Sequence, residues 1–292
     1  LNHSSFNASD GAALLAIAGT TELSGDSLLA YSGELRGNEQ ADVSLTNFVI
    51  WEGGFNVGGA DSKLSIDEGL LVQHDSLETG SESMTITAGS VNLISVGIVE
   101  GSGVGLQVAG EEASLYGRDL KVEQQSGVGY GLEVGDGAYA SVDRMSITIN
   151  GDGASGVWVH GQNTEFNARS LAVNPVSGST ESQSGLVVEE SAWATLERVQ
   201  LGSGLKLDSE FVDVDATDLR IDNTSGAGID IQGGASLTLE RAHIEGSRQN
   251  GVRVFGAGTD LRAQDLVVHA TQEAADGGGG YGLQVSGGSK AV

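Results

Sequence analysis

The chain has 292 residues, of which 46 are glycine, one is proline and none is cysteine. Its 14 basic and 40 acidic residues give a net charge of −26, and so acidic a surface argues against nucleic acids and anionic lipids as partners. The absence of cysteine excludes a disulfide framework, cysteine-ligated zinc and a cysteine nucleophile.

The two ends of the chain bear on its domain organisation. The longest purely apolar run, residues 12–18, is far shorter than the roughly 20 residues of a transmembrane helix, so we expect no membrane insertion by this segment. Leu1 lies inside the apolar pattern rather than in a signal peptide, and the C-terminal GLQVSGGSKAV stops partway through a repeat. We therefore expect residues 1–292 to form a single domain and to be a piece of a longer chain.

A four-residue marker recurs along the chain: a glycine, then two apolar residues separated by one variable residue. The markers are GLQV at 105, GLEV at 131, GVWV at 156, GLVV at 185, GLKL at 204, GIDI at 228, GVRV at 251 and GLQV at 282. Apolar residues two positions apart lie on the same face of a β-strand. Each marker therefore predicts a short strand with one buried face.

A second marker follows each first one and consists of an apolar anchor with another apolar residue about five positions later. The anchors are Leu23, Leu45, Ile66, Leu93, Leu115, Val142, Phe166, Leu196, Val214, Leu239 and Leu261. They recur about every 24 residues. Such a short repeat, built of strands without helical periodicity, predicts a solenoid whose coils bury their apolar faces against one another.

The second marker alternates between two types. Coils that read VDRMSI, LERVQL and LERAHI alternate with coils that read LYGRDL, FNARSL, VDATDL and LRAQDL. Arg144, Arg198 and Arg241 take the position at which the other type has glycine or alanine. We interpret this as packing of each arginine stem over a small residue one coil away, near carboxylates. The repeating unit is then two coils, about 48 residues.

The predicted fold is an all-β, right-handed parallel β-helix of about ten to twelve coils. Leucine-rich repeats would need an asparagine ladder and a helix, and hairpin-based folds would show regular NG or DG turns. The pattern resembles the right-handed β-helix repeat proteins of the pectin-lyase-like superfamily, and most closely the β-helix regions of bacterial surface and secreted proteins, including adhesins and autotransporter passengers. The resemblance spans the chain, carries no catalytic motif and implies an extracellular or cell-surface location in a bacterium.

Three carboxylates suggest a cation site. Equivalent residues of stacked coils lie about 4.8 Å apart, and we expect Glu197, Asp215 and Glu240 to follow one another in one column. Ca²⁺ takes oxygen ligands from several carboxylates and could hold them together. The alternative is that Arg198 and Arg241 already neutralise the column. No other cofactor is expected.

Two further columns carry titratable residues. Asp218, His243 and Asp265 would form a column that suits either acid–base chemistry or a solvated hydrogen-bonded ladder. The variable residues of the first marker form another column, in which we expect a charge ladder that fixes the register. That column contains Glu133, Trp158, Val187, Lys206, Asp230, Arg253 and Gln284.

Exposed aromatic residues are candidates for ligand binding because aromatic residues are only 5% of the chain. Tyr139 and Trp193 are predicted at the same position in coils two steps apart, where they could stack on sugar rings or lie flat on neighbouring alanines. Trp158, at the variable position of its marker, is the third candidate.

The leading hypothesis is a non-catalytic scaffold or adhesin that presents loops and outward side chains to a glycan or a cell-surface protein. Long loops at 174–185 and 271–280 should protrude from every second coil. The alternatives are a polysaccharide lyase or glycoside hydrolase, and a purely structural spacer. Catalysis is left open but disfavoured, because basic residues are few and no coil breaks the repeat. Exposed coil ends could also pair end to end with another copy.

Overall fold

The computed structural model describes residues 5–7, 13–17, 22–26, 29–38, 40–72, 83–100, 103–124, 129–150, 154–175, 184–273 and 279–292. These residues form 24 β-strands and no helix, and every strand joins one sheet through parallel pairing. No stretch of them forms a helix of the length and apolarity needed to cross a membrane. The prediction of an all-β parallel solenoid is confirmed. The tips of the two long loops, residues 176–183 and 274–278, lie outside the described residues.

The strands are β1 (Ser5–Asn7), β2 (Ala13–Ile17), β3 (Glu22–Asp26), β4 (Leu29–Gly37), β5 (Asp42–Val57), β6 (Lys63–Val72), β7 (Met84–Ile86), β8 (Gly89–Glu100), β9 (Leu106–Ala109), β10 (Ala113–Gln124), β11 (Tyr130–Gly135), β12 (Tyr139–Ile149), β13 (Ser155–Val159), β14 (Glu165–Pro175), β15 (Ser184–Glu189), β16 (Trp193–Leu201), β17 (Gly204–Asp208), β18 (Asp213–Asp222), β19 (Ile229–Gln232), β20 (Ser236–Glu245), β21 (Val252–Phe255), β22 (Asp260–His269), β23 (Leu283–Ser286) and β24 (Lys290–Ala291).

From β9 onward, each strand pairs with the strand two places later in the chain, so one coil consists of a short and a long strand. Each first marker forms one short strand, which gives eight regular coils. The predicted ten to twelve coils also count β1 to β8, whose strands pair in the same parallel sense but vary from 3 to 16 residues in length.

The register of the short strands confirms the column predicted from the first marker. Glu133 pairs with Trp158 in the next coil, and the column continues coil by coil as far as Gln284. Within it, Arg253 makes two hydrogen bonds to Asp230, one of them from Nε at 2.7 Å. This ion pair supports the interpretation of a register-fixing ladder at that point.

From β10 to β22, each long strand bends at one residue in the left-handed conformation. In β10, for example, Arg118 and Asp119 are exposed in succession, so the inside–outside alternation restarts at Asp119 and the chain turns a corner. The corner residues from β10 to β22 have φ between 54° and 58°: Asp119, Arg144, Ser170, Arg198, Asp218, Arg241 and Asp265. The coil therefore has three faces: face A of short strands, face B before the corner and face C after it.

Charge pairing along the corner column replaces the predicted packing of arginine over small residues. Arg144 hydrogen-bonds to both carboxylate oxygens of Asp119 at 2.6 and 2.8 Å, and Arg241 does the same to Asp218 at 2.7 and 3.2 Å. Arg198 donates to the hydroxyl of Ser170 at 3.3 Å. The prediction was wrong because the two coil types align with an offset of two residues.

That offset reflects two neighbouring core columns of face B in which side-chain sizes complement each other. The first column runs Leu115, Ala140, Phe166, Ala194, Val214, Leu237 and Leu261. The second runs Gly117, Val142, Ala168, Leu196, Ala216, Leu239 and Ala263. In the first five coils a large residue in one column accompanies a small one in the other. The two-coil repeat is thus a core-packing pattern, since interiors are close-packed.

The marker glycines are required by the close approach of stacked coils. A Cβ on Gly156 would lie 2.5 Å from the carbonyl oxygen of Gly185 and 2.3 Å from Cγ1 of Val173. A Cβ on Gly251 would lie 2.7 Å from the carbonyl oxygen of Gly282. These glycines do not have positive φ, so the absence of a side chain is what matters.

The last coil leaves core positions open. Leu283 and Val285 are exposed, although their register partners Val252 and Val254 in the preceding coil are completely buried. End-to-end association of copies stays a prediction.

Candidate functional site

The three aromatic candidates divide between two faces. Tyr139 and Trp193 occupy one column of face B with Glu165 between them, two coils apart as predicted. Trp158 lies in β13 on face A. The three side chains therefore do not form one site.

Face B carries a surface of three aromatic side chains, which we call the aromatic surface: Tyr116, Tyr139 and Trp193. The rings of Tyr116 and Tyr139 are 5.6 Å apart between centroids and tilted by 47°. Tyr116 is 48% exposed and Trp193 is 47% exposed, while Tyr139 is half-buried. Tyr116 was missed as a candidate because it stands one coil and two positions away from Tyr139.

Polar groups border these rings. Asn167 Nδ2 donates to Glu165 Oε1 at 2.8 Å and contacts the hydroxyl oxygen of Tyr139 at 3.5 Å. A shallow depression of about 250 Å³ lies beside Tyr116. Its lining includes Asn92, Ile94, Ser141 and the charged residues Arg118 and Asp143. Aromatic platforms next to amide, hydroxyl and carboxylate groups are what a sugar-binding surface needs, because sugars have apolar ring faces and polar edges.

The predicted carboxylate column is not formed. Glu197 aligns with Thr217 and then with Glu240, whereas Asp215 aligns with Thr195 in a different column. The expectation of three successive carboxylates was wrong because the two coil types align with an offset of two residues. In the part of the chain that the structure describes, no three acidic or histidine side chains are placed to hold a metal ion.

The two glutamates of the predicted site have arginine partners. Glu197 pairs with Arg198, and Glu240 pairs with Arg241. Calcium binding by these carboxylates thus loses the geometry on which the expectation rested. The predicted column of Asp218, His243 and Asp265 is also wrong.

The corner column explains that second error. Arg241 stands between Asp218 and Asp265, and its bond to Asp218 holds the pKa of that carboxyl below its ordinary value. His243 aligns instead with Arg220 and Val267 on face C.

Face A carries a stack of three rings around Trp158. The centroid of the indole lies 4.7 Å from the ring centroid of Tyr130 and 3.8 Å from that of His160, with interplanar angles of 25° and 22°. Its Nε1 donates to Glu189 Oε1 at 2.7 Å. Two stacked rings and a paired N–H hold Trp158 in place within this cluster.

His160 connects three coils through carboxylates. Its Nε2 lies 3.2 Å from Glu133 Oε1 in the coil before, and its Nδ1 lies 3.8 Å from Glu190 Oε2 in the coil after. Both His160 and Glu133 are buried. The ring fits there because Gly135 has no side chain: a Cβ at Gly135 would lie 2.5 Å from His160 Nε2.

The electrostatics of this cluster favour a protonated imidazole. Burial lowers the pKa of His160, but the hydrogen bond and charge of Glu133, together with the charges of Asp136 and Glu190, outweigh burial and raise the pKa overall. Burial and the charges of Glu189 and Glu133 raise the pKa of Tyr130. His160 was missed from the sequence, where the only signal is its position opposite Gly135.

The raised pKa of His160 predicts a pH dependence of stability. A group with a raised pKa in the folded state stabilises the fold fully below its unfolded value of about 6.5, and that contribution disappears as the pH rises through the folded pKa. We expect the unfolding temperature to fall more between pH 6 and pH 9 in the native chain than in His160→Gln. Thermal melts across this range would measure the difference, with His243→Gln, a more exposed histidine, as the control. Equal slopes in the native chain and His160→Gln would contradict the prediction.

The comparisons with known proteins concern the fold. A family model described as a right-handed β-helix region matches residues 105–266. A search of curated proteins and a search of solved structures each found no match. The matched residues are more than half of the chain and contain most of the regular coils, with their parallel pairing and continuous apolar interior. The chain therefore belongs to the right-handed β-helix family.

Proposed function

We propose that the chain is a non-catalytic β-helix scaffold that binds a glycan through the aromatic surface, at a bacterial cell surface or in secreted form. The observation that carries the proposal is the exposure of Tyr116 and Trp193 on a regular sheet. Large aromatic side chains left in water, next to hydrogen-bonding groups, are typical of binding surfaces. A glycan or a cell-surface protein could use them, and the polar border favours the glycan.

The arrangement of charges argues for binding rather than cleavage. A glycosidase needs two carboxylates placed on either side of the scissile bond. On face B, Glu197 and Glu240 are paired with arginines. The buried pair of Glu133 and His160 lies on face A, away from the aromatic surface. A lyase or hydrolase is therefore the second candidate, and a spacer would not need the exposed rings.

A single substitution tests the role of the aromatic surface. Trp193→Ala is expected to weaken binding of the best glycan from an array about fivefold, since a stacked ring contributes on the order of 1 kcal/mol. Isothermal titration would measure the affinity. The matched control is Phe255→Ala, which removes an aromatic ring that is 51% exposed at the end of β21 on face A. An affinity unchanged in Trp193→Ala, or lowered equally in Phe255→Ala, would overturn the proposal.

A further inference from the structure

We infer that the aromatic surface takes an uncharged, extended glycan whose chain runs across the coils, parallel to the solenoid axis. This inference rests on the proposed function and goes further by assigning the charge class and the direction of the ligand. Three features of face B support it: the column that holds the rings, the group between them and the charges beside them.

The column sets the direction. Tyr139, Glu165 and Trp193 are register partners in three consecutive coils. With a strand spacing of about 4.8 Å, the two rings are separated by about 10 Å along the axis. An extended sugar chain along this column would place alternate rings on Tyr139 and Trp193. A chain that followed one strand would meet Trp193 and then the polar residues Thr195 and Glu197.

The group between the two rings suits sugar hydroxyls. Glu165 is half-buried and is oriented by the amide of Asn167. Its carboxylate and the carbonyl oxygen of that amide offer acceptors, and the hydroxyl of Tyr139, which accepts from the same amide, offers a donor. Tyr116 and the depression beside it extend the surface by one coil toward the N-terminus. The whole surface thus has room for a ligand of several sugars.

The charges beside the rings cancel locally. The outermost column of face B runs Arg118, Asp143, Arg169 and Glu197, so its sign alternates from coil to coil. Arg169 Nε lies 3.9 Å from Glu197 Oε1. Arg118 Nε lies 3.8 Å from Oδ2 of Asp119, the corner residue of the same strand. These arginines therefore already have acidic neighbours.

The charge of the chain as a whole selects against an acidic ligand. At −26, the protein repels a polyanion, and the aromatic surface holds no cluster of unmatched arginines to overcome this repulsion. The more acidic positions of face B, which would suit a cationic ligand, lie one coil beyond Trp193, at Asp213 and Asp215. An uncharged glycan is the class that this surface fits best, because the arginines beside the rings already have acidic neighbours and the carboxylate of Glu165 accepts hydrogen bonds from sugar hydroxyls.

The first experiment compares classes of glycan. The chain is applied to an array that contains neutral, uronate and sulfated oligosaccharides, at low and at high salt. We expect the hits to be neutral glycans, with little effect of salt because no ion pairs are formed. Hits confined to uronates or sulfated glycans would overturn the inference while leaving glycan binding in place. An array without hits would overturn the proposed function itself, and the inference with it.

The second experiment tests the direction and length of the ligand. The best neutral hit is prepared as a series from monosaccharide to hexasaccharide and titrated into the native chain, Tyr139→Ala and Trp193→Ala. We expect a rise in affinity of about tenfold or more when the ligand becomes long enough to reach both rings, and a loss of this rise in either variant. Phe255→Ala is the control. Equal affinity for the monosaccharide and the longer ligands would contradict the axial arrangement.

Discussion

Replacing Phe166 by alanine is expected to lower the free energy of unfolding by about 3–5 kcal/mol. The ring of Phe166 is completely buried, and its register partners in the coils before and after are Ala140 and Ala194. Because both partners are small, neither can move in to close the cavity. The loss should therefore lie at the upper end of what large-to-small substitutions cost.

Urea unfolding would measure this effect through the midpoint of the transition. The control is Phe211→Ala, which removes an exposed ring in the turn before β18 and should change stability by less than about 0.5 kcal/mol. A loss of less than about 1 kcal/mol in Phe166→Ala would show that the size-complementary columns do not stabilise the core as the register implies.

Replacing Gly156 by alanine is expected to destabilise the chain by about 1–3 kcal/mol or more, through overpacking rather than through a cavity. The new Cβ would lie 2.5 Å from the backbone oxygen of Gly185, and this oxygen belongs to the next coil of the sheet. Val173 could rotate away from the other contact, but the carbonyl cannot move without disturbing the pairing of β13 with β15.

Gly226→Ala is the matched control. A Cβ on Gly226 would meet no heavy atom within 4 Å, and its φ is outside the left-handed region. We expect this variant to be as stable as the native chain or slightly more stable, because alanine restricts the unfolded chain. Thermal melts of the two variants side by side would decide the matter. Equal stability of Gly156→Ala and Gly226→Ala would contradict the close-approach explanation of the marker glycines.

The first marker could be placed correctly from the sequence because two constraints coincide in it. The glycine is needed for coil contact, and the two apolar residues are needed inside. A shift of Trp158 or Lys206 by one position would turn the apolar residues outward. The register of that column was therefore predictable, as the pairing of Glu133 with Trp158 and of Lys206 with Asp230 shows.

The register of the second marker could not be predicted in the same way, because the core stacks large residues on small ones, whereas the sequence pattern aligns large residues with each other. The pattern takes the larger residue of each coil as its anchor and so aligns Leu115 with Val142. The core instead places Leu115 next to Ala140 and Gly117 next to Val142. The resulting shift of two residues removed Asp215 from its predicted column. Side-chain size complementarity between coils decided the register, and apolar periodicity alone does not contain it.

The candidate site was predictable in part. The shared column of Tyr139 and Trp193 followed from the similarity of GAYASV and SAWATL. The contribution of Tyr116 depends on its tilt against Tyr139, and the position of His160 depends on the space above Gly135. Both are three-dimensional contacts between residues of different coils, which a one-dimensional repeat does not reveal.

The paired strands of the solenoid hold the backbone of the aromatic surface in place before a ligand binds. Each ring stands on a strand that is paired on both sides within the solenoid, as β12 and β16 are. A ligand would therefore meet side chains whose backbone is already ordered, and binding would lose little conformational entropy in the protein. This is the physical link between the regular fold and the proposed scaffold function.

The proposed glycan-binding function is tested most directly by a glycan array screened with the native chain and Trp193→Ala in parallel, with product detection on every hit. We expect binding of neutral glycans by the native chain, weaker binding by the variant, and no cleavage products. Cleavage of a bound glycan would contradict the non-catalytic scaffold and favour a lyase or hydrolase. Equal binding by both proteins would show that the aromatic surface is not the binding site.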